Sequence, residues 1–425
     1  MLLTAIKIKN IRSLGDVVWE PPSKEKPEGW HVVIGDNGSG KSTFLRSIAL
    51  AFVGRENALA LRQDFGDWLN QKNSSGTVRL DLDASEDDTW AVKGRKVTKY
   101  YLLLQLHLKR VSGQVELQIP SFKKNPLRHA WSDKRGWFSA SFGPFRRFQG
   151  GDKEAEKLFY SHPKLARHLS VFGENVALSE CLSWLRHLYL RELEMKPDRH
   201  LLGQVKKFIN QCGVLPHGVR FDKVNSEDVR FVDGNGIRVP VSALGDGFRS
   251  VLSFAFELIR QMVQCFGPNN FFEEKDGRLV VRHTGVVLID EIDAHLHPTW
   301  QRQIGFWLTD HFPKVQFIVT THSPLVCHAA ERGSIFRLAT PGTEEKPRMA
   351  EGLERDRLIF GSVLDAYSTE LFGHDVSRSA SAQVKQKRLA ELNQRAISGE
   401  KLSDSETKER IALRALFPSI VDEVV

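Results

Sequence analysis

Residues 30–54 read WHVVIGDNGSGKSTFLRSIALAFVG. The apolar run at 31–34 is written as a buried strand, the glycines after it make a loop, and 43–53 has helical periodicity. Strand, loop and helix in that order are the context in which G-x-x-x-x-G-K-[ST] is a phosphate-binding loop. Gly35, Gly38 and Gly40, with Asp36, Asn37 and Ser39 among them, let backbone N–H groups curl around phosphate oxygens at a helix N-terminus. Lys41 offers a point charge to β/γ oxygens, Ser42 offers its hydroxyl to Mg²⁺, and Thr43 leads into the helix. This stretch predicts an α/β P-loop NTPase.

Two later strands supply groups that act on a bound phosphate. GVVLIDE (285–291) buries four apolar residues and ends in acid, at the strand end where α/β sheets bind ligands. Asp290 is placed for Mg²⁺, through water, and Glu291 for polarising an attacking water. IVTTHS (318–323) is another buried strand, and it ends in His322. A histidine beside the acidic strand can reach a γ-phosphate and report its presence. A second glycine turn, VSALGDGFRS (241–250), runs straight into an amphipathic helix, which is again how an anion-facing helix start is written.

The order P-loop, VSALGDGFRS, LIDEIDAHLHP, TTHSP resembles the ABC-type ATPase heads of the SMC, RecF and OLD-like proteins, over roughly residues 1–55 and 235–340. The resemblance implies an ABC-ATPase head with mixed central sheet, antiparallel β-lobe and helical insertion. It also implies ATP and Mg²⁺ as ligands, and two heads that sandwich two ATP molecules. Each P-loop then faces the signature turn of the other subunit. Carried onto this chain, Lys41 and Ser42 belong to Walker A, Asp290 and Glu291 to Walker B, Asp293 to the D-loop, and His322 is the switch histidine. The signature register that fits best is Leu244, Gly245, Asp246, Gly247, with Arg249 after Phe248. It departs from the family in carrying Gly245 where a serine is usual. An alternative register uses Ser242 but sets Leu244 where glycine approaches phosphate. Arg249 either reaches phosphate or is an ordinary helix-surface arginine. No standard Q-loop stands out; Gln149 in FGPFRRFQGG and Gln63 are the candidates. His295 and His297, two apart beside Pro298, suit capping or packing of the next helix better than a metal.

What is missing narrows the group. Between Thr43 and Val241 there are no sustained heptads and no CxxC hook, which excludes a long rod. Beyond Ser323 no E…DxD arrangement is long enough for a Toprim nuclease, and no HNH or GIY-type cluster appears. A compact head without a nuclease resembles the ATPase subunits of bacterial anti-phage systems such as the Septu PtuA family, which work with a separate HNH nuclease. The resemblance implies head-to-head self-association and regulation of that nuclease. The alternative is a RecF-like repair ATPase that binds DNA directly.

Residues 91–150 hold thirteen Lys and Arg against two acidic residues, more than the whole chain's net +8, so the remainder is net negative. With Tyr100, Tyr101, Phe122, Trp131, Trp137 and Phe148 interleaved, the segment suits backbone contact and base stacking. Lys123, Lys124, Arg146 and Arg147 are its candidate nucleic-acid contacts. An acidic protein partner, or a solvated lobe with core aromatics, fits the same composition.

At 425 residues the chain is too long for one core. Its expected parts are the N-terminal half of the head (1–150), a helical insertion and hairpin start (151–235), the C-terminal half of the head (236–345), and a charged helical region (346–425) for oligomer or partner contact. SDSE at 403–406 reads as a capping box. No apolar run reaches the roughly 18 residues needed to span a bilayer. Four scattered cysteines fit a reducing cytoplasm rather than a disulfide framework or zinc site.

Overall fold

The structure, a computed structural model, describes residues 1–22, 27–61, 63–70, 72–85, 88, 101–121, 126, 130–131, 136–148, 162–173, 178–211, 213, 215–367, 369, 371, 380–398 and 400–416. The chain forms two compact units, Met1–Val363 and Leu364–Val425.

In the first unit, helix α1 (Lys41–Leu59, broken at Gly54) is apolar on nearly every face, which calls for cover on all sides. Two sheets provide it. One is antiparallel, in the order β2-β1-β4-β5-β6: β1 Leu2–Ile11, β2 Leu14–Trp19, β4 Ser75–Asp83, β5 Tyr101–Val111 and β6 Gln114–Gln118. The other contains β3 (Gly29–Ile34), β7 (Ser139–Phe142), β13 (Gly285–Ile289), β14 (Val315–Thr320), β15 (Ile335–Arg337) and β16 (Arg348–Met349), in the order β16-β15-β3-β14-β13-β7. All its pairings are parallel except β15 with β16. Phe44, Leu45 and Ile48 of α1 share one core with Ile6, Ile8, Leu80 and Leu104 of the first sheet and Val286, Leu288 and Ile318 of the second.

The run at 137–143 reads in sequence as part of the β-rich lobe, but β7 lies in the central sheet, parallel to β13. Its four residues are all buried, as a parallel strand covered on both faces must be. The expected hairpin is present as β9 (Val229–Val232) and β10 (Arg238–Pro240), and Asp233 accepts from the N–H groups of Asn235 and Ile237 across its turn. Three strands had no clear sequence signal: β8 (Arg220–Val224), which pairs with β9, and the hairpin of β11 (Phe272–Lys275) and β12 (Arg278–Val281). Of the expected helical insertion, α2 (Glu180–Leu193) and α3 (Leu201–Gln211) are its long helices among the described residues.

Helix α4 (Asp246–Phe266) starts at the second glycine turn and is buried from Ser250 to Val263. Glu257 lies inside it, fully buried, and accepts from Arg260 at 2.8 and 2.5 Å and from Gln261 at 2.6 Å. Helix α5 (Pro298–His311) follows β13, and α6 (Gly352–Phe360) follows β16.

In the second unit, α7 (Ala380–Ile397) and α8 (Asp404–Leu416) form a hairpin around Leu389, Leu392 and Leu413. The capping box is reciprocal: Ser403 N–H donates to Glu406 at 2.9 Å, and Glu406 N–H donates to Ser403 Oγ at 3.2 Å. The Ser403 backbone N–H, Arg395 and the Ser403 hydroxyl together draw the Glu406 carboxyl down to about 2. Among the described residues no helix is long and apolar enough to cross a membrane.

Candidate nucleotide-binding site

Residues 35–40 form the loop between β3 and α1, and Lys41, Ser42 and Thr43 are the first residues of the helix. Gly40 takes a left-handed φ of +95°, and a Cβ there would stand 2.6 Å from Leu14 and 2.9 Å from Ser13 Oγ, so only glycine fits. Lys41 is buried and donates to the carbonyls of Gly35 at 2.8 Å and Asp36 at 3.0 Å, folded back over its own loop. Burial lowers its pKa, and Glu291, Asp290, Asp36 and Asp293 oppose that shift. Asp36 is tied away from the loop by Thr340, whose hydroxyl donates at 2.9 Å, and by Arg337 at 4.0 Å. A cavity of about 620 Å³ opens beside Gly38 and Ser39, walled by the β1–β2 turn and residues 338–347.

Strand β14 sits between β3 and β13, so the P-loop, the acidic turn and His322 emerge along one sheet edge. Asp290 is buried; its Oδ1 accepts from Thr320 Oγ1 at 2.6 Å, and its Oδ2 is buried without a hydrogen-bond partner. An orphaned buried carboxylate oxygen is costly. It suits a cation or its bound water, and Mg²⁺ needs only one or two protein ligands beside phosphate and water. Asp290 therefore fits Mg²⁺. Glu291 has a φ of +46°, and its N–H donates to Thr320 Oγ1 at 2.8 Å. Thr321 Oγ1 donates to Asp293 at 2.6 Å. The pKa of His322 is lowered by burial and by Lys41, and Asp293, Glu291 and Asp290 counter that shift. The imidazole is thus within electrostatic reach of both halves of the site. His297 caps α5, its ring accepting from Thr299 N–H.

The signature turn is built differently. Gly245 is the N-cap of α4 and Asp246 its first residue. Leu244 is buried, whereas Gly245 and Asp246 are exposed. Arg249 is bound to Asp246 one turn away, which neutralises an acid that would otherwise repel phosphate. Phe248 packs edge-on against Trp300 of α5, with ring centroids 4.8 Å apart. A separate cavity of about 360 Å³, lined by Ser242, Asp246, Arg249 and His295 among others, shares no lining residue with the cavity at the P-loop.

Several expected contacts are corrected. Arg146 is not a nucleic-acid contact: it is 5% exposed and spends its guanidinium on backbone carbonyls. Burial pulls its pKa to about 10, still charged at neutral pH, with Asp290, Asp293 and Glu291 holding it up. Trp131, Trp137 and Phe148 are buried and unavailable for base stacking. Arg147 is exposed. Gln63 donates to the carbonyl of Phe172 at 3.0 Å. Lys123, Lys124, Gln149, Tyr100 and Phe122 lie outside the described residues. Sequence reasoning missed Thr320 and Arg146 as the supports of the acidic turn; the first looks like any strand threonine, and the second like part of a basic patch.

A family described as "AAA domain" matches residues 5–133, and one described as "AAA domain, putative AbiEii toxin, Type IV TA system" matches residues 149–327. The chain is 25% identical over 322 residues to the Septu protein PtuA of Bacillus mycoides (strain KBAB4), covering 75% of this chain and 38% of that protein. It is 38% identical over 121 residues to the "Retron Ec83 probable ATPase" of Escherichia coli, covering 28% of this chain and 21% of that one. The chain thus spans well under half the length of these relatives. A solved SMC head bound to the C-winged helix domain of ScpA aligns with 83% of this chain and 99% of its own, at 15% identity and a TM-score of 0.49. With two AAA matches and the P-loop, acidic turn and strand-end histidine on one sheet edge, the chain is a P-loop ATPase similar to the Septu and retron ATPases.

Proposed function

We propose that the protein is the ATP-binding and ATP-hydrolysing subunit of a bacterial anti-phage defence complex, which dimerises head to head on ATP and regulates a separate HNH-type nuclease. The similarity to Septu and retron ATPases supports the defence role. The observation that carries the dimer is the separation of the two phosphate-facing helix starts. The P-loop and the signature turn border different cavities, and the signature tip is left open on the surface. A second copy would supply the missing half of each site.

In this reading the loop amides of 35–40 and Lys41 bind the β/γ-phosphates, with Lys41 exchanging its two carbonyl partners for phosphate oxygens. Ser42 and Asp290 hold Mg²⁺, which supplies charge neutralisation on the phosphates. Glu291 takes a proton from the attacking water, and His322 accepts or donates a hydrogen bond at the γ-phosphate. The partner's Leu244–Arg249 turn closes over the same phosphate through its helix N-terminus.

Light scattering on the Glu291→Gln variant with saturating ATP and Mg²⁺ tests this. The expected result is a stable dimer and a turnover rate about 100-fold below that of the unaltered protein. A monomer under those conditions sinks the head-to-head dimer. Among the described residues, the direct DNA-binding alternative has lost Arg146 and three of its aromatics to the core.

A further inference from the structure

Four residues beyond the end of β7, Arg146 turns back under the acidic turn. Its Nη1 donates to the carbonyls of Gly143 at 3.0 Å and Asp290 at 2.9 Å. Its Nη2 donates to those of Glu291 at 2.9 Å and Ile292 at 3.3 Å. Nε lies 3.4 Å from Ser250 Oγ in the first turns of α4. The guanidinium therefore gathers three consecutive carbonyls of the acidic turn, 290 to 292, and anchors them to the strand end on one side and the signature helix on the other.

Among the described residues no carboxylate hydrogen-bonds this buried cation; its partners are four main-chain carbonyls and a hydroxyl. Those carbonyls point at the guanidinium only while the turn keeps its present shape. That shape includes the left-handed φ of +46° at Glu291, which a non-glycine residue holds only when its surroundings over-determine it. From the opposite side Thr320 receives the Glu291 N–H and donates to Asp290. The turn is thus gripped by one hydroxyl above and one guanidinium below.

We infer that Arg146 is the positioning residue that sets the backbone of Glu291, and with it the direction of the carboxylate that activates water. The inference rests on the proposed ATPase reading. A planar five-donor fork is what the geometry demands; a lysine ammonium has three donors at one point on a flexible stem, too few for four carbonyls and a hydroxyl. Arg146 is buried and spends its donors on main-chain carbonyls and Ser250, so its loss is felt in the chemical step and not in ATP binding.

The test compares kcat, KM and the Kd for a fluorescent ATP analogue in the unaltered protein, Glu291→Gln, Arg146→Ala and Arg146→Lys. Misplacing a catalytic group by about 1 Å costs about 100-fold in rate. Both Arg146 variants should lose kcat on that scale, with KM and Kd within about threefold of the unaltered protein, since the loss is of a step and not of binding. Millimolar guanidinium should restore turnover to Arg146→Ala and leave Glu291→Gln inactive. If Arg146→Ala does not fold, Arg146→Lys decides alone. A lysine variant with unaltered kcat, while Glu291→Gln is inactive, overturns the inference and spares the ATPase reading. A loss of ATP affinity parallel to the loss of kcat also overturns it. Full turnover by Glu291→Gln removes the group being positioned and overturns both.

Discussion

The P-loop face and the signature tip are both helix starts written to meet phosphate, yet they are finished to different degrees. At the P-loop, Lys41 and Asp290 are buried, and Lys41, Asp290 and Asp36 are each held by a named bond. At the tip, the Asp246 side chain is 76% exposed and, among the described residues, bound only to the neighbouring Arg249. The first surface is organised against its own chain. The second is organised as far as its helix body and leaves its end free for another molecule. An exposed pair such as Asp246–Arg249 contributes at most about 1 kcal/mol, so the tip is cheap to rearrange on contact.

The largest effect should come from the body of that same helix. Removing Glu257 by Glu257→Ala strands Arg260 in the core and should cost about 3–5 kcal/mol in urea unfolding. A loss below 1 kcal/mol would mean that the body is no firmer than the tip, and the contrast between the two surfaces would fail.

Strand β3 supplies the next. His31 is fully buried and neutral, its Nε2–H donating to the Pro27 carbonyl at 2.9 Å and its Nδ1 accepting from Ser334 at 3.0 Å. Burial lowers its pKa from 6.5 to about 4, against the pull of the Pro27 carbonyl. Between those values the unfolded chain binds the extra proton, so stability is full above pH 6.5 and falls as pH drops toward 4, by about 3 kcal/mol. His31→Gln should flatten that slope in a pH series of denaturation midpoints.

The smallest pair of effects lies at the tip. Gly245 has φ −59° and ψ 157°, open to any residue, and a Cβ there meets nothing nearer than Phe248 at 3.9 Å. Gly245→Ser should tighten the ATP-bound dimer by about 1.5 kcal/mol, the scale of a hydrogen bond to a charged oxygen. Ser242→Ala should change it by less than about 0.5 kcal/mol. The reverse pattern in sedimentation assays would move the signature register to Ser242.

The sequence displayed the P-loop completely because its groups are consecutive: strand, glycines, lysine and helix are read within 25 residues. The same holds for the Ser403–Glu406 box and for His297, whose partners lie two or three residues away. Groups whose meaning depends on distant neighbours were not legible. Ser139–Phe142 looks like a lobe strand until β13, far along the chain, is laid beside it. Arg146 looks like one of a run of surface cations, because its acceptors are main-chain carbonyls 144 to 146 residues away, which carry no side-chain signature. Strands β11 and β12 are four residues each, too short for alternation to speak.

The position of β3 bears on how the protein is made. Its neighbours on both sides, β14 and β15, and the Thr340 that ties down Asp36 come about 300 residues later in the chain, 304 for that last contact. At roughly 5–20 residues per second of synthesis, the P-loop strand emerges on the order of 15–60 s before anything can pair with it. For that interval Trp30–Ile34 is an apolar strand with two open edges, the form most prone to pair with the wrong chain. The nucleotide loop is the first part of the site to be translated and the last to be assembled.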